Sequence, residues 1–103
     1  MTKHHDIELF LDGENVVPGT VPDLVVGDTV EYFSRSGPVL IDFPNGSPFG
    51  KPQIGDRQNV TVQKDGSFRG NCFIMKDGKK LGWKSDPSPS GIDHKIPPPQ
   101  TSA

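Results

Sequence analysis

The sequence predicts an all-β fold: a two-sheet Greek-key sandwich of seven or eight short strands. Three observations carry that expectation. No stretch of twelve residues repeats its apolar positions with helical period. Apolar residues instead alternate over runs of four to six, rich in β-branched and aromatic types that suit a pleated, half-buried surface. Turn signals built on Gly, Pro and Asp recur every eight to twelve residues, the spacing of a sandwich or barrel.

The first run, Ile7, Leu9 and Leu11, alternates with Glu8, Phe10 and Asp12 and is stopped by Asp12-Gly13. Phe10 on its second face predicts cover on both sides near the strand end. Val16-Val17 is a short strand closed by Pro18-Gly19. The stretch Val21–Phe43 holds the densest alternation and reads as two or three strands. Leu24-Val25-Val26 runs into a tight corner at Gly27-Asp28, Thr29–Phe33 follows, and Val39–Phe43 resumes after Ser36-Gly37-Pro38.

Residues 44–57, PNGSPFGKPQIGDR, contain three prolines and three glycines and predict a long loop without regular structure. Asn59–Gln63 is the next strand. Lys64-Asp65-Gly66 predicts a hairpin returning along Ser67–Lys76, where Gly70 marks a bulge or a close backbone approach. Asp77-Gly78-Lys79-Lys80 turns again, Leu81 and Trp83 form a last inward pair, and Ser85–Gly91 is a loop before a final strand, Ile92–Ile96. One domain is expected over residues 1–96, with an extended proline-rich tail over 97–103.

Composition narrows the functional classes. Net charge is -2, but residues 1–50 carry eight acids against two bases, and residues 51–103 nine bases against five acids. Either the molecule is polar and associates head to tail, or strands of the two halves interleave and neutralise one another; interleaving is the simpler expectation. The single cysteine, Cys72, excludes an intrachain disulfide. No apolar run reaches signal-peptide or membrane-spanning length. Read from Met1 the chain is expected in the cytoplasm; removal of an export signal would leave the same appearance.

Val25-Val26-Gly27-Asp28-Thr29-Val30-Glu31-Tyr32 resembles the approach to the central strands of cupredoxin-like sandwiches. Asn59–Val62, Asp65-Gly66 and Ser67–Cys72 are similar to the hairpin that carries the copper-ligand cysteine in that family. Immunoglobulin-like sandwiches share the same strand lengths and turns. Blue-copper members hold the metal with two imidazoles, a thiolate and an axial thioether. The chain has His4, His5, His94, Cys72 and Met75, but Val39 stands where a histidine would be expected, and the first histidine after Cys72 comes 22 residues on. The resemblance implies the fold without the electron transfer, and no cofactor is expected.

Candidate residues follow. Cys72 lies among Phe, Ile and Met and reads as a core residue; the alternative is a copper or redox site with Met75 and His94. His4-His5 reads as a frayed terminus, and His94, alternating with Ile92 and Ile96, as half-buried. Lys76, Lys79, Lys80 and Lys84 around Trp83 are the ingredients of a nucleic-acid groove, but the acidic isoelectric point near 5.8 argues against one. No nucleophile elbow, zinc-protease helix or phosphate loop is present, so no enzyme is expected. The expected role is a binding module for a protein partner or a second copy, with Phe49, Lys51, Ile54 and Trp83 as its contact residues.

Overall fold

The computed structural model describes residues 2–84 and 89–99. Among them are nine strands and no helix: β1 (His4–Asp12), β2 (Asn15–Pro18), β3 (Thr29–Phe33), β4 (Val39–Asp42), β5 (Gln53–Ile54), β6 (Val60–Thr61), β7 (Gly66–Lys76), β8 (Lys79–Gly82) and β9 (Gly91–Ile96). They form two sheets, one ordered β2-β1-β3-β6 and one ordered β5-β4-β7-β8 with β9 also on β7. The all-β two-sheet sandwich is therefore present. The ninth strand is the two-residue β5 inside the 44–57 loop, where Ile41 and Ile54 pair across the ladder.

β1 is the long strand of the four-stranded sheet. Ile7 and Leu9 face inward and are fully buried, with Leu11 packed against the core. It makes a tight antiparallel hairpin with β2, and Gly13 takes the left-handed conformation (φ 63°) that the turn needs. With β3 it pairs in parallel, His4 opposite Thr29 and Ile7 opposite Tyr32. The terminus is thus not frayed at His4. The Asp28 carboxylate accepts the Lys3 N–H (2.9 Å) and the Val25 N–H (3.2 Å), and sits 2.9 Å from the His5 ring. Burial raises the Asp28 pKa, but these bonds together outweigh it and hold the carboxyl below its ordinary range.

In the second sheet β7 is central. Its residues Gly70, Cys72 and Ile74 face inward, alternating with Arg69, Asn71 and Phe73 outward. Asn71 pairs with Asp42 on one side and Gly91 on the other, and Phe73 with Leu40 and Gly82. β8 and β9 therefore follow one another along the same edge of β7. Pairing with β9 runs without a bulge through Gly70, so this glycine serves close approach: a Cβ there would come within 2.8 Å of the Phe43 ring and 3.0 Å of Ile41.

Four local expectations are corrected. Residues 24–26 make no ladder: Pro22 removes a donor, and the Asp28 N–H closes a turn on Val25 O, leaving Leu24 buried and Val25 exposed. Residues 59–63 and 66–76 are not a hairpin, because β6 joins β3 and β7 joins β4 in the other sheet. Phe10 and Trp83 are not covered: Phe10 is 48% exposed, and Trp83, just past the end of β8, is 37% exposed.

The fourth correction concerns charge. The four-stranded sheet carries Asp6, Glu8, Asp12 and Glu31 and no lysine or arginine. The five-stranded sheet carries Arg69, Lys76, Lys79, Lys80 and Lys95 against Asp42 and Asp93. The strands that change sides, β4 and β6, bear one charge between them, so interleaving does not neutralise the faces.

Candidate functional site

The 44–57 loop folds back onto the sandwich. Phe43 N–H donates to Pro52 O (2.8 Å), Gln63 N–H to Pro48 O (2.7 Å), and Phe49 N–H to Ser47 Oγ (3.0 Å). These bonds turn Phe49 inward, where its exposure is 2%. Its ring meets Tyr32 edge-on at 6.2 Å and Phe43 at 5.8 Å between centroids. Ile54 is fully buried. Both are core anchors that seal the loop, and neither offers a contact surface. Lys51 and Trp83 remain exposed. A lone aromatic in a Gly/Pro-rich loop has the same sequence signature whether it anchors or binds, so composition could not separate the two roles.

What the five-stranded sheet does present is a groove of about 490 Å³ on its outer face, lined by Asp42, Pro44, Gln53, Asn71, Phe73, Lys80 and Trp83. A smaller hollow beside it adds Asn45 and Arg69. The groove follows from strand alternation: Asp42, Asn71 and Phe73 are the outward residues of neighbouring strands. Lys80 holds its ammonium 4.2 Å from the centre of the Phe73 ring. Arg69 donates two bonds to Asp93, at 3.0 and 3.1 Å. Lys84, beside Trp83, reaches Glu14 of the β1–β2 turn. Of the Ser85–Gly91 loop expected from the sequence, residues 85–88 lie outside the described residues.

The candidate ligands Cys72, Met75 and His94 do not converge. Cys72 points into the core, whereas Met75, three residues on along the same strand, projects from the outer face and is 41% exposed. Burial pushes the Cys72 thiol up to about 12, so it stays protonated at neutral pH; Arg69 offsets this only slightly. His94 is 2% exposed, and its Nε2 lies 2.7 Å from the Tyr32 hydroxyl. Its Nδ1 has no hydrogen-bond partner. Desolvation lowers the His94 pKa to about 4, against a small opposing effect of Asp93, and raises Tyr32 well above its usual value. The ring is therefore a neutral part of the aromatic cluster of Tyr32, Phe43 and Phe49, more deeply placed than the alternation with Ile92 and Ile96 foretold. Potential metal ligands gather instead on the opposite sheet, at His4, Asp6 and Glu31.

Comparison of the chain with family models, with curated proteins and with solved structures found no match.

Proposed function

We propose that this protein is a non-enzymatic binding module, a cupredoxin-like sandwich without copper, that docks an acidic segment of a protein partner on its five-stranded sheet. The observation that carries the reading is the groove at Trp83. It joins a half-exposed indole to a lysine-covered phenyl ring on a sheet whose strands carry five bases against two acids. Exposed aromatic side chains such as Trp83 are among the residue types that dominate protein interfaces. An acidic chain fits because it would gain attraction from Lys80 in the groove without requiring any deep pocket; Lys76 and Lys79, at the hairpin end of the same sheet, alternate onto its other face.

The family reading draws support from the Val25–Tyr32 segment, which turns at Gly27-Asp28 and enters β3. It also draws support from the connections β3 to β4, β5 to β6 and β6 to β7, which cross between sheets as in Greek-key arrangements. A second copy of the chain is the other partner with an observation behind it, since the four-stranded sheet supplies a complementary acidic face.

Titration calorimetry with a synthetic Glu/Asp-rich decapeptide is the test. Binding should weaken at least roughly tenfold in Trp83→Ala and in Lys80→Glu, and fall as salt rises. Self-association would appear instead as concentration-dependent sedimentation that salt abolishes. No peptide heat together with a monodisperse monomer at low salt would remove both partners.

A further inference from the structure

The outer face of the four-stranded sheet brings three ligand-type side chains to one point. Parallel pairing sets Asp6 opposite Glu31 and His4 opposite Thr29, and His4 and Asp6, two residues apart on β1, share a face. Nε2 of His4 lies 2.9 Å from Oδ1 of Asp6 and 3.8 Å from Oε1 of Glu31. Ligand atoms of the three side chains all fall within 4.8 Å of one another. We propose that His4, Asp6 and Glu31 bind a divalent transition ion of the zinc type.

Two observations independent of that proximity point the same way. The first is the support of the imidazole. His4 Nδ1 is 2.7 Å from the Thr29 hydroxyl oxygen. Without an ion, Nε2 hydrogen-bonds Asp6 Oδ1; donation of Nδ1–H to Thr29 would free the Nε2 lone pair for a metal, the orientation that an outer partner enforces in metal sites. The second is the ladder itself. Asp6 and Glu31 are direct cross-strand partners, and like charges directly opposite one another destabilise a sheet. Among the described residues no lysine or arginine lies within ion-pair distance of either carboxylate; His4 is the only cationic-type group that reaches them. A doubly charged ion would neutralise the pair.

The donor set selects the class of ion. One imidazole and two carboxylates suit zinc and its neighbours better than the all-oxygen sites of calcium or magnesium. A tetrahedral ion with bonds of about 2.0–2.1 Å holds its ligand atoms about 3.4 Å apart. The observed separations of 2.9 and 3.8 Å bracket that value, so small rotations of the carboxylates complete the geometry. The side chains are 42%, 60% and 31% exposed, which leaves an ion free access. Three protein ligands leave a fourth position for water or for a donor from a partner.

The test is titration of the full chain with zinc chloride, followed by calorimetry. One equivalent should bind, and chelation should reverse it. His4→Gln and Glu31→Gln should each lower the affinity at least roughly tenfold. His5→Gln should leave it unchanged, because that ring lies on the other side of the strand and faces Asp28. All three positions lie near the surface, and circular dichroism checks that each variant keeps its strands. Absence of uptake, affinity unaltered by His4→Gln or Glu31→Gln, or loss in His5→Gln alone would overturn the assignment. The site lies on the sheet opposite the Trp83 groove, so its failure leaves the peptide-docking proposal standing.

Discussion

Replacing His94 by Gln should flatten the acid side of the stability curve. In the folded chain desolvation holds the imidazole pKa near 4, against 6.5 for the free group. Between those values the unfolded chain binds the proton and the folded chain does not, so stability is full above pH 6.5 and is lost progressively as the pH falls toward 4. About 2.5 pH units at ~1.36 kcal/mol each come to roughly 3 kcal/mol. That is a large share of the ~5–15 kcal/mol typical of a domain. Gln can keep a bond to the Tyr32 hydroxyl while removing the titration. Urea unfolding followed by far-ultraviolet circular dichroism, at steps from pH 7.5 to 4.5, gives the free energy of each protein. The wild type should lose roughly 2–3 kcal/mol more than the variant over that range. The two proteins differ only at position 94, so the contributions of all other groups cancel in the difference. Parallel curves for wild type and variant would refute the claim that burial of His94 governs the acid response.

Three further outcomes follow from the packing. Phe49→Ala should cost about 3–5 kcal/mol in urea unfolding, as for any core phenylalanine, since the ring is 2% exposed and meets three other rings; a near-neutral effect would mark it as a surface residue. Gly70→Ala should destabilise by about 1–3 kcal/mol, because the added methyl meets Phe43 at 2.8 Å and Ile41 at 3.0 Å inside a packed core; a stabilised variant would show that the Phe43 ring moves freely. Titration with cupric ion should give no thiolate-to-copper absorption, because the Cys72 thiol is buried with its pKa pushed up to about 12 and Met75 stands on the other face of β7; an intense visible band would restore the copper alternative.

Much of this architecture was legible in the order of residues. The alternation Ile7-Leu9-Leu11, the Val30-Tyr32 and Val39-Ile41 pairs, and the Asp77-Gly78 turn each specify a strand or a reversal within a few neighbouring residues. Such local patterns fix which face is buried, because side chains alternate with period two whatever strand lies alongside.

Partner choice is a different matter. The sequence from Val60 to Lys76 suits a hairpin and a sheet crossover equally well; bonds from Val62 to Asp28 and from Gly27 to Val62 bind the β6 end to the other sheet. The inward turn of Phe49 and Ile54, the outward turn of Trp83, and the meeting of His4 and Asp6 with Glu31, some 25 residues further along the chain, likewise depend on contacts between distant segments. The sequence by itself therefore determined the class of fold and which strand faces are apolar, since these depend on spacing. Only the tertiary structure decided which residues gather into a groove or a ligand cluster, because closing loops of tens of residues leaves no mark in any short window of sequence.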